Sequence, residues 1–179
     1  WHDRERMNSM IDTPCAVAEK EQTDMAAGKR ILFVCTVNTC RSPMAAAVYN
    51  ARYAQDGSRA FSAGLAADGC CISPNAVSAL EKAGIRSTPD NPYLCHVSHT
   101  VTGADMALAS LVVAMTGEHA MRLLFAFPMC ATKITMMADE IPDPYGGNVA
   151  AYEHCLVAIE NALAKMFAAD TESKWHRET

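Results

Sequence analysis

The chain has 179 residues, half of them apolar, and a formal net charge of −5. This length fits one domain with a sizeable core. Because the chain has no Lys/Arg cluster, we expect neither nucleic acid nor an anionic membrane as a partner. No apolar stretch is long enough to span a bilayer, and the polar N-terminus has no signal-peptide core, so we expect a cytoplasmic protein.

Composition also divides the chain into three parts. Residues 1–28 are polar and charged without a sustained period of 2 or 3.6, so we expect a flexible N-terminal extension. Residues 29–169 carry the regular patterns of a folded domain, and residues 170–179 are predicted to be a C-terminal tail.

From residue 29 onward, short apolar runs alternate with helical patterns, which is typical of a parallel sheet covered by helices. Strands are predicted over residues 31–34, 59–62, 111–115 and 133–136. Helices are predicted over residues 42–53, 73–84, 102–110, 116–125 and 148–168, the first with Ser42 as its N-cap. We therefore predict an α/β fold, a single three-layer domain with a central four-stranded parallel sheet flanked by helices.

The chain contains eight cysteines. A disulfide framework belongs to small secreted domains with poor cores, so we expect most of these thiols to be reduced. The nearest approach to a zinc motif is the segment CHVSH at residues 95–99, and it has no second ligand pair. We expect neither a metal nor another cofactor.

The segment CTVNTCRSP, residues 35–43, follows the first predicted strand directly. Ligands of open α/β sheets bind outside the carboxyl ends of strands, where loops lead into helix N-termini. Five residues between Cys35 and Arg41 are enough for the backbone to curl around one small anion. We predict a phosphate-binding loop formed by Thr36, Val37, Asn38, Thr39, Cys40, Arg41 and Ser42.

The residue types in this loop favour nucleophilic chemistry. A helix N-terminus, a ring of amide dipoles and an arginine all stabilise a thiolate, which makes Cys35 the predicted nucleophile. The Arg41 guanidinium can hold two phosphoryl oxygens in a bidentate fork. We expect Ser42 to donate a hydrogen bond to the thiolate and Asn38 to pin the loop backbone.

The loop resembles the hallmark of the low-molecular-weight protein phosphatases, a strand followed by C-x-x-N-x-C-R-S-P. The matching positions are Cys35, Asn38, Cys40, Arg41, Ser42 and Pro43. The segment FSAG at residues 61–64, His96 and the segment DPY at residues 143–145 are similar to further features of that family. The resemblance extends from about residue 29 to the last predicted helix.

The resemblance implies a two-step reaction through a phosphocysteine at Cys35, without a metal. Asp143 protonates the leaving group and then activates water. From the residues alone, Asp139 and Glu140 compete with Asp143 for this role. The implied substrate is a phosphorylated protein, and the implied product is inorganic phosphate.

Four further residues have expected secondary roles. We expect Ser62 to brace Asn38 and His96 to support the loop as a hydrogen-bonding group. Tyr145 is either an aromatic wall of the substrate cleft or ordinary loop packing. Cys40 is either a packed thiol or a redox partner that captures oxidised Cys35 as a disulfide, and the resemblance favours the redox partner.

By resemblance, Thr39 favours phosphoarginine as the substrate, because tyrosine-directed members usually carry a bulky aliphatic residue there. A protein-tyrosine phosphatase with the same mechanism is the alternative. An arsenate reductase is less favoured, since Cys70, Cys71 and Cys95 lack the relay spacing. Val37 stands where glycine is usual, so an inactive phosphate-binding relative with a strained loop is a further alternative.

Overall fold

The computed structural model describes residues 28–172. The predicted extension over residues 1–28 therefore lies outside the described residues except for Gly28, and so do residues 173–179 of the predicted tail. The strands are β1 (Arg30–Cys35), β2 (Arg59–Gly64), β3 (Leu111–Ala114) and β4 (Ile134–Met136). The α-helices are α1 (Arg41–Arg52), α2 (Pro74–Lys82), α3 (Gly103–Leu108), α4 (Gly117–Ala126) and α5 (Val149–Glu172).

The four strands form one parallel sheet in the order β2-β1-β3-β4. In the register, Cys35 lies beside Gly64 at the carboxyl end of β1, and Val34 lies beside Ala114 of β3. This sheet, with helices on both faces, confirms the predicted α/β architecture and its loop after the first strand.

Two apolar clusters cover the two faces of the sheet. Because successive strand residues point to opposite faces, Ile31 and Phe33 pack with α1, α2 and α5, whereas Leu32 and Val34 pack with α3 and α4. Burial of β1 on both faces explains its uninterrupted apolar sequence and makes it a rigid base for the loop that follows.

Most helix starts agree with the sequence, but the first does not. The N-cap positions of α2, α3 and α4 are occupied by Ser73, Thr102 and Thr116, at the predicted starts of these helices; the two threonine side chains accept a capping hydrogen bond, whereas Ser73 does not. The prediction of Ser42 as an N-cap is wrong: α1 begins at Arg41, and Cys40 occupies the cap position without a side-chain hydrogen bond. The Ser42 hydroxyl is unavailable for capping because it lies buried between other loop side chains.

Three helix ends also differ from prediction. α2 ends at Lys82 rather than residue 84, α3 ends at Leu108 rather than residue 110, and α5 runs to Glu172, past the predicted end at residue 168. Within the described part of the chain, α5 is the longest helix, and neither it nor any other is apolar enough over a sufficient length to cross a bilayer.

Gly64 gives a test of how tightly the sheet holds the loop. A Cβ at this position would lie 2.7 Å from the carbonyl oxygen of Thr36 and 3.1 Å from Cβ of Asn38. We expect Gly64→Ala to lower the free energy of unfolding by about 1–3 kcal/mol, because backbone must move to relieve the overlap. Urea denaturation measures this. Gly103→Ala is the matched control, since a Cβ there meets nothing within 4 Å; equal losses in both variants would contradict the close approach at Gly64.

Candidate active site

The loop after β1 encloses a small cavity at the carboxyl edge of the sheet. The chain leaves β1 for β2 on one side and later crosses to β3 on the other, so the loop lies where the strand order reverses. The cavity has a volume of about 120 Å³. It is lined by Cys35, Thr36, Val37, Asn38, Thr39, Cys40, Arg41, Asp143 and Tyr145.

The sulfur of Cys35 is surrounded by hydrogen-bonding groups. It lies 3.0 Å from Oγ of Ser42, and the backbone N–H of Asn38 donates to it over 3.3 Å. Both groups are buried with the cysteine. Donors at these positions stabilise negative charge on the sulfur, and the structure therefore brings Cys35 and Ser42 together as the sequence predicts.

Asn38 connects the loop to its surroundings. Its Nδ2 donates to Oγ of Ser42 and to Oγ of Ser62, each over 2.9 Å, and its Oδ1 accepts from the backbone N–H of His99 over 3.2 Å. Its φ of 64° lies in the left-handed region, which asparagine tolerates better than most residues. The structure places Ser62 against Asn38, in the bracing position that the sequence assigns to it.

His96 supports the same residue through the backbone. Its Nε2 lies 2.7 Å from the carbonyl oxygen of Asn38. Burial lowers the pKa of His96 below its ordinary value of 6.5, so the ring is neutral at pH 7, and Nε2 carries the proton that it donates. The imidazole therefore acts as a hydrogen-bond donor that fixes the turn at Asn38.

The positive φ at residue 38 corrects the expectation about Val37. Among the described residues other than glycine, only Asn38 and Asp56 have a positive φ. Val37 therefore does not have the positive φ that glycine adopts easily, and the loop accommodates this β-branched residue without backbone strain. The expected reason for a disabled loop is absent at this position.

Arg41 and Asp143 meet at the mouth of the cavity. The guanidinium of Arg41 is buried; it donates to Oδ2 of Asp143 over 2.7 Å and to the carbonyl oxygen of Ile141 over 3.4 Å. The Asp143 side chain is 52% exposed, so this carboxylate faces both the cavity and solvent. The acidic loop before α5 thus brings a carboxylate within direct reach of the arginine.

The two rival carboxylates have other partners. Asp139 pairs with Lys165 of α5 over 2.6 Å. Oε1 of Glu140 accepts from the backbone N–H of Gly117, at the start of α4, over 3.2 Å. Neither residue lines the cavity, and so, of the three acidic candidates, the geometry favours Asp143.

Cys40 lies in the cavity wall beside a buried tyrosine. Its Sγ is 3.3 Å from the hydroxyl oxygen of Tyr152, to which Oγ of Ser73 donates over 3.2 Å. Burial, together with the Cys40 contact, raises the pKa of Tyr152 to about 12, so the phenol stays protonated. Oγ1 of Thr39 is 3.6 Å from the same sulfur. The redox role of Cys40 stays a prediction.

Other predicted residues lie at or beyond the edge of the cavity. Tyr145 lines the mouth with its side chain largely exposed, as an aromatic wall rather than as packing in the loop. Cys70 and Cys71 are exposed and line no part of the cavity, which gives no support to a thiol relay. In the part of the chain that the structure describes, no group of His, Cys, Asp and Glu could hold a metal ion.

Sequence reasoning missed two side chains that contact the loop. Tyr152 stands at an apolar position of the helical pattern of α5, and a tyrosine at that spacing gives no sign of a polar partner. His119 lies with its Nε2 2.9 Å from Oγ1 of Thr36. A signal for His119 does exist, since it stands three residues after the N-cap Thr116, behind a strand that is parallel to β1.

Comparison with known proteins gives a consistent result. The family model described as "Low molecular weight phosphotyrosine protein phosphatase" matches residues 30–175. The chain is 32% identical over 146 residues to the protein-arginine-phosphatase of Bacillus subtilis (strain 168), covering 76% of this chain and 93% of that protein. It is 31% identical over 161 residues to a low molecular weight protein-tyrosine-phosphatase of Streptomyces coelicolor, covering 80% and 94%.

A solved structure is also similar in fold. The YwlE arginine phosphatase from Geobacillus stearothermophilus superposes with a TM-score of 0.72 at 29% identity, covering 84% of this chain and 98% of that one. The chain is therefore similar both to proteins named as arginine phosphatases and to proteins named as tyrosine phosphatases.

Asn38 is the residue whose replacement should disturb the site most broadly. We expect Asn38→Ala to lower the free energy of unfolding by about 2 kcal/mol or more, because buried hydroxyls and the His99 N–H lose their partner. Asn38→Gly loses the same side chain but relaxes the positive φ, so its loss should be smaller by about 1 kcal/mol. Urea denaturation of both variants measures the difference. An alanine variant as stable as the glycine variant would show that the backbone conformation costs nothing.

Proposed function

Because the chain belongs to the low-molecular-weight phosphotyrosine protein phosphatase family, it is a cysteine-dependent phosphoprotein phosphatase, and we propose that it prefers phosphoarginine side chains to phosphotyrosine. The observation that carries the catalytic assignment is the Cys35 sulfur, held at the wall of a phosphoryl-sized cavity by two hydrogen-bonding groups. The cytoplasmic location, and the absence of a nucleic-acid partner, stay predictions.

In the proposed first step, the Cys35 thiolate attacks phosphorus in line with the leaving group. A sulfur–phosphorus bond forms as the bond from phosphorus to the substrate nitrogen or oxygen breaks. Asp143 gives its proton to the leaving atom, so that arginine departs as its guanidinium cation or tyrosine as its neutral phenol. The Ser42 hydroxyl, 3.0 Å from the sulfur, stabilises the thiolate before the attack and after its return.

Arg41 and the Asp143 carboxylate exchange hydrogen-bond partners during the proposed reaction. In the structure the Arg41 guanidinium binds Asp143 over 2.7 Å. A phosphoryl dianion brings two oxygens that fit the same guanidinium fork, so binding of substrate competes for Arg41 and releases Asp143. The released carboxylate takes from solvent the proton that it then gives to the leaving atom. In the second step, the Asp143 carboxylate takes a proton from water as the water oxygen attacks phosphorus, which yields inorganic phosphate and the free thiolate.

Thr39 is the observation that supports phosphoarginine. It lines the cavity next to Cys40, and its side chain is short and carries a hydroxyl. A planar guanidinium needs space beside the phosphoryl group and gains from a hydrogen-bonding wall, whereas a bulky aliphatic side chain would crowd it. Phosphotyrosine is the second candidate, supported by Tyr145 at the mouth, where an aromatic substrate ring can stack.

The assignment of Asp143 is testable by substitution at two acidic positions. We expect Asp143→Asn to lower kcat by about a hundredfold or more, because the amide transfers no proton. Asp139→Asn is the matched control and should leave kcat within about twofold, since its carboxylate pairs with Lys165 outside the cavity. An aryl phosphate with a strongly acidic phenol needs less protonation and should suffer less from Asp143→Asn. Equal losses at both positions would overturn the assignment.

Substrate preference is measured as phosphate release from a phosphoarginine-containing protein and from a phosphotyrosine peptide, side by side. Cys35→Ser is the blank. We expect a higher kcat/KM for phosphoarginine in the wild type, and we expect Thr39→Ile to reduce the ratio of the two values by about tenfold or more, since the added methyl group and methylene narrow the cavity.

Thr39→Val separates size from hydrogen bonding in the same assay. Valine has the shape of threonine without its hydroxyl, so an unchanged ratio in this variant assigns the preference to size alone. A wild type that prefers phosphotyrosine would keep the mechanism and reject the role of Thr39. A wild type that releases phosphate from neither substrate in a Cys35-dependent way would contradict the proposed function.

A further inference from the structure

A row of hydrogen-bonded polar side chains connects the cavity to the loop after β3. Thr36, which follows the nucleophile, lines the cavity, and its Oγ1 lies 2.9 Å from Nε2 of His119. Nδ1 of the same imidazole lies 2.8 Å from Oγ1 of Thr116, the N-cap of α4. Because β1 and β3 are parallel neighbours, their carboxyl ends open at one edge of the sheet and bring these three side chains into a row.

The protonation state of the imidazole follows from its surroundings. His119 is buried, and burial, with a further contribution from the Arg41 guanidinium, lowers its pKa below the ordinary 6.5. The ring is therefore neutral at pH 7, with one N–H donor and one acceptor nitrogen.

The hydrogen-bond partners decide which nitrogen carries the proton. The Thr116 hydroxyl oxygen already accepts from the backbone N–H of His119 over 3.4 Å, so its own proton is available to Nδ1. Nε2 then carries the ring proton and donates it to the oxygen of Thr36. In the opposite tautomer the Thr116 hydroxyl would accept twice, and no protein group among the described residues would accept its proton.

We infer that His119 is a positioning residue that holds the Thr36 hydroxyl as a hydrogen-bond donor to a phosphoryl oxygen in the cavity, a role that rests on the proposed phosphatase function. Since the Thr36 oxygen accepts from Nε2, the Thr36 proton is left for the cavity; among the described residues, this hydroxyl bonds to no side chain other than His119. The imidazole itself need not touch the substrate.

This arrangement gives the anion a neutral donor whose direction is fixed in advance. A freely rotating threonine would present lone pairs to the phosphoryl oxygens part of the time, and an acceptor facing an anion is repulsive. Hydrogen bonds to charged groups are stronger than those between neutral groups, so the loss of a pre-oriented donor should be measurable as weaker binding of phosphate.

The test uses inorganic phosphate as the probe, with calorimetry on the full chain. We expect Thr36→Val to weaken phosphate binding about tenfold and Thr36→Ser to retain it. His119→Asn keeps an amide near the Nδ1 position but ends short of Thr36, so it should weaken binding to a similar extent. His119→Gln reaches the Nε2 position and should restore affinity to within about threefold of wild type. His154→Asn, at an exposed histidine of α5, is the matched control.

Coupling and kinetics distinguish positioning from a general structural effect. The double variant Thr36→Val/His119→Asn should bind phosphate no more weakly than either single variant, because both substitutions remove the same hydrogen-bond donor to phosphate. With an aryl phosphate substrate, KM should rise more than kcat falls. Thermal unfolding of each variant shows whether it is folded at the assay temperature.

Three outcomes would overturn the inference: additive losses in the double variant, full phosphate affinity in Thr36→Val, or equal losses in His119→Asn and His119→Gln. If His119→Asn does not fold, the inference is tested by comparing the phosphate affinity of Thr36→Val with that of Thr36→Ser, and that of His119→Gln with the wild type. Tight phosphate binding by a wild type that hydrolyses nothing would contradict the proposed function, while the binding comparison would still decide the role of His119.

Discussion

The site depends on one backbone conformation, the left-handed turn at Asn38. This turn points an N–H at the Cys35 sulfur and sends the asparagine side chain inward, where Ser42 and Ser62 accept from it. The carbonyl group faces the opposite way and accepts from His96. Every polar group of this buried residue is thus partnered, either within the loop, by Ser62 of β2 or by the segment that contains His96 and His99, so protein groups alone hold the loop in shape.

Local sequence patterns predicted the strands and most helix starts well. The core of β1 was predictable because burial on both faces leaves an uninterrupted apolar run. Three helix starts were predictable because serine and threonine favour the N-cap position, and Thr102 and Thr116 also accept the capping hydrogen bond there. The prediction of Ser42 as an N-cap was wrong because its hydroxyl contacts Cys35 and Asn38 within the loop, although Ser-Pro is a common helix start. Propensity describes what a residue prefers when no tertiary partner competes.

The contacts around the loop were predictable only where a single segment contains them. The contact of Thr36 with His119 joins residues 83 apart, and that of Cys40 with Tyr152 joins residues 112 apart. No local period records such a pairing; it arises from the order of the strands and from the path of α5 across the sheet. The site is therefore assembled from loops whose shared location follows from topology, while their side-chain pairings follow from packing.

The start of α1 has a consequence for the stability of the whole fold. This helix begins with an arginine, has no acidic residue in its first turn and receives no side-chain cap, so its positive end is uncompensated by its own sequence. Cations are unfavourable at that end, and Asp143 supplies only a partly exposed counter-charge. A bound anion completes the helix, and by mass action it favours the folded chain over the unfolded one. If phosphate is released in this loop as proposed, the product of the reaction is also a stabilising ligand, which would link the protein's resistance to heat and proteolysis to the phosphate concentration around it.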